Sequence, residues 1–276
     1  MLFQRVLTAA VLLSLLVAAL FLLPKWSWGL LITGVLLIAG QEWGKLARYS
    51  GIGRALFCGV LAAGCGAIYW WEQGSGEARA FIYSPAGRLF YGVAMAFWLG
   101  VAPAWLLYRW RVRGALLTAA VGCIVLLPFW HALLYLQATP GRLLAALGVV
   151  WVADTAGYFV GRRFGRRKLA PEISPGKTWA GVWGALAAVP LYWIAVSVVL
   201  PEMGAHWLSG LAWITSMTLL SVVGDLFESW MKRGVGVKDS GRLLPGHGGM
   251  LDRVDSLTST LPFAALYFAF LLSGIR

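Results

Sequence analysis

Residues 114–136 read GALLTAAVGCIVLLPFWHALLYL, 23 residues without one charged side chain. Crossing a bilayer takes about 20 helical residues, and a helix satisfies its own backbone there. The stretch therefore predicts a membrane-spanning helix. Eight more apolar runs surround it, at 5–23, 26–40, 55–71, 88–108, 142–160, 179–200, 207–224 and 257–273. The run at 26–40 is short and interrupted by Gly29 and Gly34, which leaves it tilted, re-entrant or merged with a neighbour. Hydrophobic residues make up 60% of the 276 and charged residues 12%, about half the charged share of a soluble chain. That balance excludes a soluble enzyme, a disulfide scaffold and a disordered protein. It predicts an all-α, polytopic transmembrane bundle of about nine spans.

Twenty-three Lys and Arg stand against 11 Asp and Glu, a formal charge of +12. In a membrane protein such an excess sets orientation and meets anionic lipid, so no nucleic-acid partner is expected. With nine spans and a cytoplasmic N-terminus, 18 of the 23 basic residues lie inside: Arg5, the 45–54 and 109–113 clusters, and the runs 162–177 and 232–253. The reading is N-in and C-out. Cys58, Cys65 and Cys123 lie in apolar stretches and read as buried thiols, with neither zinc nor disulfide spacing. The first run is long enough to span and no small-residue cleavage site follows it, so no cleaved signal peptide is expected. The tryptophans read mostly as span-end anchors, and His131 and His206 as interfacial.

The chain reads as one integral membrane unit, with N-terminal helices over 1–150 and a C-terminal part over 151–276. The front part is nearly empty of polar residues within its spans, which places any chemistry in the back. Two loops there carry the information: 161–178, GRRFGRRKLAPEISPGKT, and 224–256, GDLFESWMKRGVGVKDSGRLLPGHGGMLDRVDS. On a helix, Asp225, Glu228, Ser229 and Lys232 form one polar stripe, and Asp252, Asp255, Ser256 and Ser259 form another. Carboxylates at a membrane boundary face a cavity, a metal or a partner charge. A plainer alternative is a pair of structural bridges, Glu228 to Lys232 and Asp252 to Arg253. Glu42 lies outside both stripes, and Glu42→Gln is expected to do little.

Between the stripes come Gly234, Gly236, Gly241, Gly246, Gly248 and Gly249, with Lys232, Arg233, Lys238, Arg242 and His247. Glycines let backbone N–H groups approach an anion, and the cations supply countercharge. With carboxylates able to hold a divalent cation, this is the inventory for a nucleoside triphosphate and its metal. Neither loop fits a P-loop or a Rossmann fingerprint. His247 reads as a base, a phosphate donor or a loop-stabilising group. The segment with Asp154, Tyr158, Gly161 and Arg162, followed by Ser174 and Lys177 just ahead of the seventh span, is a second anion-binding candidate.

The run from Ser229-Trp-Met-Lys-Arg through Lys238-Asp-Ser-Gly to Leu244-Pro-Gly-His-Gly-Gly-Met-Leu-Asp-Arg-Val-Asp255 resembles the signature of phosphatidate cytidylyltransferases (CDP-diacylglycerol synthases). Gly224-Asp-Leu-Phe-Glu228, Asp154-Thr and Ser174-Pro-Gly-Lys-Thr are also similar to that family. Ala180 stands where the family often has Glu. The resemblance implies transfer of a cytidylyl group from CTP to phosphatidic acid at the cytoplasmic face of a bacterial inner membrane. It implies Mg2+ with a second, monovalent cation, membrane lipid, and a homodimer as further partners. Asp225, Asp252 and Asp255 are then expected on metal, and Lys232, Lys238, Arg233, Arg242 and Arg253 on phosphates. Ser174 and Lys177, with Asp154, are expected on nucleotide or lipid phosphate, and Asp239 and His247 as orienting catalytic groups. The rivals are another membrane nucleotidyl- or phosphotransferase, and a transporter or lipid-binding protein without chemistry. The last would show polar residues in both halves and an internal repeat. Reporter fusions at residues 170 and 240 should both read cytoplasmic and one at 203 outside; opposite readings for the two loops would forbid a joint site.

Overall fold

The computed structural model describes residues 2–74, 80–110, 114–201, 207–241, 243 and 248–271. Each expected apolar run falls on a helix. They are α1 (Leu2–Leu22), α2 (Lys25–Leu46), α3 (Gly51–Gly74), the short α4 (Ala80–Tyr83), and α5 (Pro85–Ala96), which continues through a π-turn into α6 (Ala102–Tyr108). Then follow α7 (Ala115–Gln137), α8 (Pro140–Phe164), α9 (Trp179–Val199), α10 (Trp207–Gly234) and α11 (Leu251–Leu266). Among the described residues, six segments are long and apolar enough to cross a membrane: α3, the 85–108 segment, and α7 to α10. Together with exposed side chains such as Leu107, Leu116, Val198 and Leu208, they make the chain an integral membrane protein.

The remaining long helices differ from the expectation for physical reasons. α2 runs to Leu46 rather than ending near residue 40, because Glu42 and Trp43 are buried in the bundle instead of meeting water. α11 has 16 residues and opens with Asp252, Arg253 and Asp255, yet it lies at the centre, packed on α10, α7, α8, α2 and α5. Its hydroxyls are satisfied along the helix and across it: Ser259 donates to Leu220 O (2.8 Å) and Thr260 to Ser256 O (2.8 Å). A buried helix of this kind reads as polar in composition while facing no solvent.

The 161–178 loop contains the one departure from all-α structure seen among the described residues. β1 (Lys168–Ala170) and β2 (Ser174–Thr178) pair antiparallel, with Lys168 opposite Thr178 and Ala170 opposite Ser174. The hairpin feeds directly into α9, where the Thr178 hydroxyl accepts the Gly181 N–H at 3.1 Å as an N-cap.

Two expectations about the front half are corrected. His131 is fully buried on α7; its ring takes Tyr91 Oη at 2.7 Å and Glu72 Oε1 at 3.3 Å, and Lys25 Nζ lies 2.7 Å from Glu72 Oε2. The front spans therefore do hold a buried polar cluster. Of the 16 tryptophans, Trp28, Trp43, Trp98, Trp105, Trp130, Trp193 and Trp213 are core residues, while Trp26, Trp70, Trp71, Trp110, Trp179 and Trp207 are exposed at or near helix ends. The bulk of the core ones fills gaps between helices that small residues let approach. His206 lies outside the described residues. The cysteines are free thiols as expected, with Cys65 buried and the other two half-buried.

α8 and α9 approach closely where a Cβ on Gly181 would stand 2.7 Å from the Gly157 carbonyl oxygen. Small residues at such a crossing let two backbones touch. Gly181→Val must push the helices apart and should destabilise by about 1–3 kcal/mol, the usual range for overpacking. An unchanged melting temperature in detergent would show that the crossing tolerates separation.

Candidate active site

α10 and α11 meet at Gly224, where a Cβ would come within 2.5 Å of Ser259 Oγ and 2.7 Å of the Asp255 carbonyl. That approach sets the two acidic stripes face to face. Lys232, on α10, closes the gap: its ammonium lies 2.7 Å from Asp252 Oδ1 and 3.3 Å from Glu228 Oε2, and all three side chains are buried. Both parts of the plainer reading are thereby settled. Glu228 does pair with Lys232, but Asp252 pairs with Lys232 as well and not with Arg253 next to it, which is exposed.

The second loop arrives through β2. Lys177 Nζ lies 2.6 Å from Asp225 Oδ2, and Ser229 donates to Asp225 Oδ1 at 3.3 Å. Asp154, on α8, is within electrostatic reach of Lys177 and Asp225. The two charged loops therefore share one end of the bundle. Asp255 neighbours Asp225 and Glu228, and its Oδ1 accepts the Ser256 N–H at 2.7 Å. Both Glu228 carboxylate oxygens are buried, with Oε2 3.3 Å from the Lys232 ammonium.

Asp252 uses both of its oxygens within the protein. Its Oδ1 holds Lys232 and its Oδ2 accepts the backbone N–H groups of Ser240 (2.9 Å) and Gly249 (2.8 Å). Burial by itself would raise its pKa. The Lys232 ammonium and the two N–H donors outweigh burial and hold it below the ordinary carboxylate value.

The remaining candidates are spread around this centre. Arg233 donates to Ile173 O (3.2 Å) and Val237 O (2.9 Å), tying the hairpin to the end of α10. Lys238 and Asp239 are exposed and line a cavity of about 470 Å³ together with Lys45. A second cavity, about 800 Å³, opens on the far side of α10's end between Arg48, Tyr49, Thr118, Trp230 and Arg233. Ser174 is half-buried on β2. Arg242 and His247 lie outside the described residues. Among the described residues no three Asp, Glu, His or Cys are gathered closely enough to form a ready-made metal cage.

One residue escaped the sequence reading. Glu42, on α2, is 4% exposed and accepts hydrogen bonds from Ser240 Oγ (2.9 Å), Met250 N (3.1 Å) and Leu251 N (2.8 Å). It is not an idle acid. No local pattern marks it, because its partners are about 200 positions away; the only trace was a carboxylate inside an apolar helix.

A cytidylyltransferase family model matches residues 3–271. The phosphatidate cytidylyltransferase of Pseudomonas aeruginosa is 39% identical over 279 residues, covering 98% of both chains. That of Haemophilus influenzae is 34% identical, covering 99% of this chain and all of its own. The enzyme of the same name from Thermotoga maritima is 37% identical over 137 residues, 48% of this chain and 51% of its own.

The lowered pKa of Asp252 has a consequence for stability. A carboxylate depressed in the folded state stabilises fully above its unfolded value, near pH 4, and its contribution is lost as the pH falls through the folded value. The melting temperature of Asp252→Asn should therefore lie below wild type at neutral pH, and the gap should narrow below about pH 4. A gap that is constant with pH would remove the charge from the explanation.

Proposed function

We propose that this chain, which belongs to the cytidylyltransferase family, catalyses the reaction in its relatives' name. It transfers a cytidylyl group from CTP to phosphatidic acid, giving CDP-diacylglycerol and pyrophosphate for phospholipid biosynthesis. The observation that carries this reading is the Lys177–Asp225 bridge, which brings the 161–178 hairpin and the 224–256 signature to one end of the bundle. Two separate cavities at that end, one beside Lys45 and Lys238 and one beside Arg48 and Arg233, suit a reaction that must seat two anions.

An oxygen of the lipid phosphate attacks the α-phosphorus of CTP; a new P–O bond forms and the bond to the β-phosphate breaks. A phosphate monoester has its second ionisation near pH 6, so the nucleophile arrives charged and needs no strong base. Catalysis then rests on alignment and charge neutralisation. Lys177, half-buried on β2, and Lys238 are the cations we assign to phosphates, together with Arg233, Arg242 and Arg253. Lys232 sits deeper, between carboxylates, and its role is to hold Asp252 and Glu228 in register.

The donor chemistry suits a hard divalent cation: the carboxylates of Glu228 and Asp225 both neighbour that of Asp255. We assign Mg2+ to Asp225, Glu228 and Asp255, where it would neutralise charge on the reacting phosphates. Asp252, tied to Lys232, Ser240 and Gly249, orients the loop. We further read the nine long helices as crossings, N-in and C-out, with this end in the cytoplasm of a bacterial inner membrane, on the distribution of Lys and Arg.

Purified protein with phosphatidic acid, CTP and Mg2+ should release pyrophosphate, and chelation should stop it. Asp225→Asn should lower turnover at least about a hundredfold while the protein still purifies from the membrane. Release of phosphate in place of pyrophosphate, or equal turnover with GTP, would overturn the assignment.

A further inference from the structure

The glycine-rich segment between α10 and α11 looks like a loop whose N–H groups are free for a nucleotide. At its base they are not free. Ser240 N and Gly249 N point at Asp252, and Met250 N and Leu251 N point at Glu42, which also takes the Ser240 hydroxyl. Ser240 is thus gripped on both sides, its amide by α11 and its hydroxyl by α2. Two of the loop's glycines are explained by the same carboxylate. A Cβ at Gly241 would run into Glu42 Oε1, and one at Gly249 would stand 2.5 Å from both carboxylate oxygens.

Met250, the N-cap residue of α11, makes no capping bond with its own side chain. Glu42 caps α11 from another helix, with a negative charge at the positive end of the helix dipole. The loop therefore leaves from and returns to a single buried side chain. Through Ser240 and Leu251 that side chain also fixes Asp252, and through Asp252 it fixes Lys232.

We infer that Glu42 is a positioning residue for the CTP half of the reaction, holding Ser240 and the start of α11 so that Lys238, two residues before Ser240 on the same cavity, meets the triphosphate in one geometry. This rests on the proposed assignment of the loop to CTP. A cap that only stabilised α11 would affect how much protein folds but not how folded protein treats its two substrates. A positioning residue would separate them.

The test uses the full chain, purified in detergent micelles containing phosphatidic acid. Glu42→Gln keeps the side chain's size but sets an amide donor against a row of N–H donors. It should raise the KM for CTP about tenfold or more and leave that for phosphatidic acid within about twofold, as expected where charged hydrogen bonds position only one substrate. Gly241→Ala should do the same by pushing on the carboxylate. The pair Glu42→Ala with Gly241→Ala should be no worse than Glu42→Ala alone, since the methyl group then has room.

Early melting of Glu42→Gln with both KM values unchanged would reduce Glu42 to a helix cap and overturn the inference. An equal rise in both KM values would overturn it too, since that reports general disorder. A wild-type chain that releases no pyrophosphate from CTP would instead defeat the reaction reading. Protease cleavage between residues 241 and 249 then decides the positioning claim by itself: it should be faster in Glu42→Gln, and an unchanged rate would defeat it.

Discussion

One ammonium group, that of Lys232, stands between the two acidic helices. Without it, Glu228 and Asp252 would be two buried carboxylates facing each other across a helix contact that Gly224 makes too close for water. Removing one member of such a buried set typically costs about 3–5 kcal/mol, because the other charges are left unpaired. The bridge is therefore better understood as specifying one arrangement than as adding net stability. It fixes the rotation of α10 against α11, and with it the direction in which Asp225 and Asp255 point. β2 can then bring Lys177 to Asp225 only in that arrangement.

From this bridge the order passes outward along backbone groups. Asp252 holds Ser240 and Gly249; Glu42 holds Ser240, Met250 and Leu251. A glycine-rich loop beside a helix start is a natural anion-binding device. Here the base of that device already contains two anions, both supplied by the protein. The loop is held at both ends by internal carboxylates. Gly248 takes φ +80°, which turns the chain back toward Asp252 in a conformation that side chains other than glycine rarely adopt.

This division explains what could be read from the sequence. Spans and stripes were legible because they are periodic: apolar runs mark α3 and α7 to α10, and i, i+3, i+4 spacing set Asp225, Glu228 and Lys232 on one face. The signature spacing likewise led to the family. What was not legible depends on contacts distant in sequence. Glu42 looked idle because its three donors lie beyond residue 239. His131 looked interfacial because nothing nearby in sequence announces Glu72 or Tyr91. Gly241 looked like room for phosphate when it is room for a carboxylate. The β1–β2 hairpin was missed because three residues paired with five carry no periodicity at all.

The charge count at this end of the bundle bears on how the reaction proceeds. Asp154, Asp225, Glu228, Asp252 and Asp255 are five acidic groups, and among the described residues Lys177 and Lys232 are the cations bridged to them. A nucleoside triphosphate and a phosphate monoester add still more negative charge, and at low effective dielectric like charges repel strongly. Lys232 cannot relieve this, since it is already shared between two carboxylates. On the proposed reading, CTP must therefore enter accompanied by its cation.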